Sequence, residues 1–333
     1  MLDLSKIKYT LVVMDEQKKA YNITDYVENL GWEENEKELA VRISFTVKND
    51  KTTAGRLSSI AKLGCLVGVF ATDEKGKNKE AARGYIVDWR PSISSSKQKF
   101  DVKAYDELFM LQKSQDNLFY QDKTGTKAIL QDIFQKWSIP MKEYDGPNVE
   151  HEKQVFKAKR ISDILVEVLD DAKKKGGGKT LLRAEKGKVA IMRWGKNKTI
   201  YCFDSGNSMM QEHLKSTDGL VTRVKVIGQA NDDGKSEVET TVDGKTKYGI
   251  FQKIYSRGKE ESIDEAKRAA EEILEEEGKI REEITVQAPD IPFIRKGDTV
   301  HCKLGTIADY YFVKGVRHDV ENTRMTLDLE KAD

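Results

Sequence analysis

Residues 39–48, LAVRISFTVK, alternate without a break: Leu39, Val41, Ile43, Phe45 and Val47 point one way, and Arg42, Ser44, Thr46 and Lys48 the other. Successive side chains of a strand project to opposite faces, so this run fits a strand with one buried face. The runs KYTLVVM, CLVGVFA, GYIVDW and KFDVKAY are further strand candidates, and the polar stretch Thr72–Ala81 reads as a turn or protruding loop between two of them. Many short strands at this spacing predict a small barrel or sandwich at the N-terminal end.

From about Ala104 the period changes. AYDELFMLQ is a short helix or a transition. In TKAILQDIFQKW the residues Ile129, Leu130, Ile133, Phe134 and Trp137 fall on one helical face, and Ile139-Pro140 stops the helix. A second helix is predicted from Ile161, Ile164, Leu165, Val168, Leu169 and Ala172, with Ser162 placed as N-cap. TLLRAEKGKVAIMRW then reads as a hairpin around Glu185-Lys186-Gly187-Lys188.

Between that helix and hairpin lies KKKGGGKTLL, Lys173 to Leu182, which has the glycines, lysine and threonine of a phosphate loop. A phosphate loop needs Gly at its first position, here Lys173, and it needs a strand before it and a helix after it. The order here is reversed. Gly176 to Gly178 are therefore read as the end of the helix, and Lys173 to Lys175 as cations favourably placed at the negative end of its dipole.

Strands return in GLVTRVKVIG and SEVETTVDGKTKYGIFQKIY, the second with Asp243-Gly244 as a two-residue hairpin turn. A helix over about 262–278 opens with the capping-box spacing of Ser262 and Glu265. Ile263, Ala266, Ala270, Ile273 and Leu274 line its apolar face, and Gly278 suits its C-terminal cap. Its other face, in EEILEEE, reads as solvated, with a docking face for a basic partner as the alternative. EEITVQAP, GDTVHCKL, DYYFVKGVRHDV and RMTLDLE close the chain as strands.

Two stretches match in pattern. KLGCLVGVF, RGYIVDWRPSI and KQKFDVKAY have the same order of glycine turn, strand, tyrosine-led strand, polar turn and alternating strand as RKGDTVHCKL, DYYFVKGVRHDV and TRMTLDLE. A duplication would make the chain two related β-modules with an α+β module between them.

Reactive groups do not converge in the sequence. His151, His213, His301 and His318 share no metal-ligand spacing with one another or with Cys65, Cys202 and Cys302, and the cysteines read as reduced, half-buried strand residues. His301 and Cys302 are adjacent in a strand and point to opposite faces. Asp204-Ser205-Gly206 lacks the glycine two residues before a nucleophilic serine and reads as a turn. Asp232-Asp233-Gly234-Lys235 is too short and too poor in ligands for a calcium loop. Trp32, Trp89, Trp137 and Trp194 fall in separate modules. No catalytic residue, cofactor site or metal site is therefore assigned. A formal net charge of +1 over 333 residues gives no overall field toward nucleic acid or an anionic membrane. No apolar run approaches the ~20 residues that span a bilayer, and MLDLSKIKYTLVV does not read as a signal peptide.

The segments DYVENLGWEENEKELAVRISFTV, LVTRVKVIG near residue 220, and IRKGDTVHCKL with DYYFVKGVRHDVENTRMTLDLE resemble the baseplate hub proteins of PBSX-type prophages, contractile phage tails and R-type bacteriocins, relatives of the late control gene D family. The resemblance implies an α+β, β-rich chain. Residues 1–107 and 206–333 would form two tail-tube-like β-barrel domains, and 108–205 a smaller inserted α+β domain. It implies a non-enzymatic structural hub: a homotrimer whose pseudo-sixfold ring joins the tail tube protein to the central spike protein. A tape-measure protein and other baseplate proteins are further partners of such a hub. Synthesis in a bacterial cytoplasm without a signal peptide, and assembly into a tail or bacteriocin particle, go with that role. The alternatives are a peptidoglycan-degrading tail hydrolase and a cell-wall binding module.

Overall fold

The computed structural model describes residues 6–52, 55–73, 75–93, 98–230 and 233–332. The start of the N-terminal run, the polar turn at Ser94–Lys97 and Asp232 of the short acidic loop lie outside the described residues. The chain forms two compact units, Met1–Gln211 with Thr285–Asp333, and Glu212–Ile284. It is β-rich α+β, as its alternating runs require.

The first unit opens with β1 (Tyr9–Met14), β2 (Val27–Glu34), β3 (Arg42–Lys48), β4 (Leu66–Thr72), β5 (Asn78–Ile93) and β6 (Gln98–Tyr105). They pair in the order β2-β3-β6-β5-β4-β1. The predicted alternation sets the core: Ile43, Phe45 and Val47 of β3 pack with Val67, Val69 and Ala71 of β4 and Phe100, Val102 and Ala104 of β6. Between the strand arrays lie α1 (Thr126–Lys136), α2 (Ile161–Ala172) and the antiparallel hairpin β7 (Thr180–Glu185) and β8 (Lys188–Arg193). Ile129, Ile133 and Phe134 of α1, Ile164, Leu165 and Val168 of α2, and Leu182, Val189 and Ile191 of the hairpin share one core.

Ser162 does not cap α2. The cap position is Arg160, without a side-chain bond, and Ser162 is buried inside the first turn. The preceding strand Gln154–Arg160 runs straight into the helix, and the Ile161 amide donates to the Ser114 carbonyl at 3.0 Å. That contact starts the helix two residues too early for the serine to cap it. At its other end α2 widens through Lys173–Gly177 and stops where Gly176 takes φ +84°. KKKGGG therefore ends a helix and leads into the β7–β8 hairpin, the reverse of the strand-to-helix order a phosphate loop needs.

After β9 (Cys202–Asp204) and β10 (Met210–Ser216) come β11 (Arg223–Ala230), β12 (Ser236–Asp243), β13 (Gln252–Ser256) and α3 (Ile263–Glu277). The chain then closes with β14 (Arg281–Pro289), β15 (Thr299–Leu304), β16 (Ile307–Asp319) and β17 (Arg324–Lys331). β9, β10 and β14 to β17 pair in the order β10-β14-β17-β16-β15-β9. Numbered within each array, this is the same 2-3-6-5-4-1 order as at the N-terminus. β4-β5-β6 and β15-β16-β17 are both antiparallel meanders, and each long middle strand has a register shift, between Ile86 and Asp88 in one and between Val313 and Gly315 in the other. One strand breaks the match: β1 runs antiparallel to β4, whereas β9 runs parallel to β15. The arrays meet where Val316–Asp319 of β16 pairs with Gly31–Glu34 of β2, so both belong to one 13-stranded sheet.

In the second unit, β11 lies between β12 and β13, and Val224 and Val226 pack on Ala266 and Ala270 of α3. The capping box of Ser262 and Glu265 is formed in both directions. Asp243-Gly244 is not a hairpin turn. β12 ends at Asp243, and β13 pairs parallel to β11 on its opposite side. The connection crosses the end of β11, pinned by Thr222, whose amide donates to the Phe251 carbonyl at 2.9 Å and whose hydroxyl accepts from the Phe251 amide at 2.8 Å.

The equivalence of the two meanders has a measurable consequence. Leu327 is buried at 0 % exposure in β17, at a position like that of Val102 in β6. Leu327→Ala is expected to lower unfolding free energy by about 2–5 kcal/mol, and Thr326→Ala on the other face by less than about 0.5 kcal/mol. Denaturant titration followed by circular dichroism checks both.

Candidate functional site

The polar interior of the first unit converges on one short turn, Arg295-Lys296-Gly297-Asp298. Arg295 reaches the β2 residue Glu34 with two hydrogen bonds, 2.6 and 3.1 Å, and donates to the Ala184 carbonyl of β7 at 3.1 Å. Arg183 of β7 donates to Asp298 at 2.8 Å and to the Lys296 carbonyl at 2.5 Å. The Lys296 ammonium donates to the carbonyls of Asn35, Glu36 and Glu38 at 2.7–3.0 Å. One turn thus binds the N-terminal array, the hairpin and the closing strands. Gly297 sits at φ +88°, and a Cβ there would stand 2.3 Å from Leu181 Cδ2.

The charges in this turn belong to each other. Burial pushes the Glu34 carboxyl up, but the attraction and hydrogen bonds of Arg295 more than offset this and leave it below the ordinary range. Burial likewise lowers Lys296, against the opposing pull of Glu34, Glu36 and Glu38. Beside the turn, burial pushes Asp106 up to about 8, although the amides of Val41 and Leu108 donate to its two oxygens at 3.0 Å. Glu107 is also raised by burial.

A second cluster joins the same arrays. His318 Nδ1 lies 2.6 Å from Asp290 Oδ1 and its Nε2 lies 3.1 Å from the Ile294 carbonyl. The Tyr9 hydroxyl donates to the other Asp290 oxygen. Trp32 stacks on the His318 ring at 4.3 Å with an interplanar angle of 16°. Burial, then the Asp290 charge, hold the Tyr9 phenol far above its ordinary range, so it serves as a donor.

The structure separates most of the residues that carried candidate chemistry. His151 is buried between Thr126 and Asp171, at 2.8 and 2.6 Å, while His213 pairs with Glu282 at 2.5 Å. Asp204-Ser205-Gly206 is a turn in which Asp204 Oδ1 accepts from the Gly206 amide at 2.8 Å. Cys65 and Cys302 are buried, and burial pushes the Cys302 thiol up to about 12. All three depart from the half-buried strand expectation: Cys65 and Cys302 are fully buried, Cys65 lies just ahead of β4 rather than in it, and Cys202 is exposed, with its sulfur 3.7 Å from His301 Nδ1 where β9 pairs Cys202 opposite His301. Among the described residues no cluster of three or more His, Cys, Asp or Glu could hold a metal ion, and no helix is long and apolar enough to cross a membrane. A groove of ≈ 1090 Å³ runs between residues 36–39 and the outer face of α2, where Asp163, Glu167, Asp170 and Lys174 face it. Its lining mixes both signs of charge and does not gather one reactive set.

A family model described as YQBQ-like matches residues 30–331. The chain belongs to the YQBQ-like family. The match spans the N-terminal array from within β2 onward, the second unit and the C-terminal array, and the turn at 295–298 lies inside it. No curated protein matches the sequence. Among solved structures, this YQBQ-like chain is similar to the 43 kDa tail protein of prophage MuSo2 from Shewanella oneidensis, with a TM-score of 0.70 at 13% identity over 97% of this chain and 98% of that one. It is similar to a tail protein from Neisseria meningitidis MC58, with a TM-score of 0.68 at 14% identity over 97% and 96% of the two chains. It is also similar to the E. coli c3393 protein, a component of the type VI secretion system, with a TM-score of 0.55 at 11% identity over 98% of this chain and 77% of that one. The YQBQ-like chain therefore has the fold of phage tail proteins.

Two outcomes test the polar interior. Arg295→Met leaves Glu34 buried without its partner and is expected to cost about 3–5 kcal/mol, whereas Arg317→Met, at an exposed arginine of β16, costs less than about 1 kcal/mol. Thermal unfolding distinguishes them. Asp106 binds its proton more tightly folded than unfolded, so its contribution is complete below the ordinary carboxyl range and is lost as pH rises toward about 8. The denaturation midpoint of the native chain is expected to fall between pH 5 and pH 9, and Asp106→Asn to flatten that fall.

Proposed function

We propose that this chain is a structural hub of a contractile phage tail, prophage particle or bacteriocin, in which three copies form a ring between the tail tube and the central spike. The observation that carries this reading is the repeated 2-3-6-5-4-1 strand order within one 13-stranded sheet. A chain holding two like β-modules supplies six of them as a trimer, and a closed ring of six near-equivalent modules matches a sixfold tube on one side and a threefold spike on the other. In this reading residues 1–107 and 206–333 supply the ring, and 108–205 is the insert between its halves. The likeness to two tail proteins, one of them from prophage MuSo2, and to a type VI secretion component supports the reading.

The role proposed is non-enzymatic. Asp106, whose carboxyl burial pushes up to about 8, spends both oxygens on the amides of Val41 and Leu108, and so serves the fold. Multi-angle light scattering of the full chain with its cognate spike and tube proteins is expected to give complexes with three copies of this chain. Monomer alone at micromolar concentration with both partners present would contradict the proposal.

A further inference from the structure

The second unit carries a surface that the fold leaves uncovered. Every residue from Asp243 to Ile254 is exposed. This stretch includes Tyr248 at 50%, Ile250 at 58%, Phe251 at 38% and Ile254 at 57% exposure. Ile254 lies on the face of the sheet away from α3, beside Lys225 of β11, while Val238 of β12, 55% exposed, pairs with Ile227 on that same face.

The exposed stretch is held in place. Thr222, 1% exposed, makes the bonds to Phe251 described above, and its hydroxyl donates to the Gly249 carbonyl at 2.9 Å. The Gly244 and Gly249 amides donate to the carbonyls of Thr222 and Thr246 at 2.9 and 3.0 Å. Apolar side chains displayed on a fixed loop lose little freedom on docking, which favours a binding role. Isolated apolar residues on a surface need no account, but a concentration of them rimmed by charge marks an interaction site.

The charge around this loop names its occupant. Residues 244–253 hold Lys245, Lys247 and Lys253 and no acidic residue; Lys253 is taken by Glu277 of α3 in the same copy at 2.5 Å, so the cations offered to a partner are Lys245 and Lys247. Lys247 lies over the Tyr248 ring at 5.3 Å, so aromatic and cation are displayed together. The same unit carries the opposite surface on α3, which has seven acidic and two basic residues, with Glu271, Glu272, Glu275 and Glu276 all exposed. One copy therefore holds both halves of a complementary pair on different faces, which is the requirement for a head-to-tail contact that closes into a ring.

We propose that the loop Gly244–Phe251, with Ile254, docks on the acidic outer face of α3 of a second copy of this chain. The inference rests on the trimeric hub reading and assigns part of its intersubunit contact. The acidic face of α3 then has a basic, aromatic partner, and repetition of the contact around three copies leaves no loop unmatched.

The test uses the full chain assembled with its spike and tube partners, from a mixture of isotopically heavy and light copies. A photoreactive benzoylphenylalanine replaces Tyr248, and light scattering first establishes whether three copies are present. The expected result is a heavy-to-light crosslink into residues 263–279. Crosslinks onto spike or tube protein, crosslinks confined to one copy, or none in a preparation shown to be trimeric would overturn the contact while leaving the hub reading standing. Absence of trimers would sink both. As a second readout, Lys245→Glu with Lys247→Glu is expected to raise the concentration for half-assembly at least tenfold, and adding Glu271→Lys and Glu275→Lys to the same chain to recover most of it. Equal assembly of the native chain and the chain carrying only the two loop reversals would count against the contact.

Discussion

The Glu34–Arg295 ion pair is the contact on which the first unit depends. Glu34 is buried, the Arg295 side chain is 16% exposed, and Glu34 keeps its charge because the guanidinium stands 2.6 Å away. A buried pair of this kind contributes little net stability over an apolar pair of the same shape, but losing one partner leaves a charge with no compensation. Its main effect is then specificity of arrangement. With Arg183, Asp298 and the three carbonyls that hold Lys296, it fixes which loop of the N-terminal array lies against which turn of the C-terminal strands.

That fixing explains how two arrays of the same strand order can act as one body. Four residue pairs join β16 to β2, from Val316 and Glu34 to Asp319 and Gly31. A short ladder alone would permit rocking. The ionic turn and the Tyr9–Asp290–His318–Trp32 cluster flank it with contacts that have little angular freedom. In a ring built from such chains, the angle between like modules must be the same within a chain as between chains, so a rigid junction is what the proposed assembly requires.

Much of this was legible from alternation alone. The faces of β3, β6 and β17, the helices α1 and α2, the β7–β8 hairpin and the capping box at Ser262 follow from local spacing, and local spacing determined them. The misses share a cause. Asp243-Gly244 has good turn chemistry, but the bonds of Thr222 to Phe251 and Gly249 draw the following chain across β11, and a tertiary contact overrode the local signal. Ser162 has good cap chemistry, but the bond from Ile161 to Ser114 started the helix before it. The most consequential segment, Arg295 to Asp298, read only as a glycine turn. Its partners lie 261 positions away at Glu34 and 115 positions away at Arg183, and no periodicity links charges over such distances.

Whether a junction of two like modules serves as the unit of a ring is decided most directly by single-particle electron cryomicroscopy of the chain bound to its tube and spike proteins. The account predicts three copies around a channel, with the N-terminal and C-terminal arrays alternating as six near-equivalent lobes, and with Glu34 and Arg295 paired inside each copy. A particle in which the two arrays occupy unrelated positions, or in which one copy serves each tube–spike junction, would contradict it.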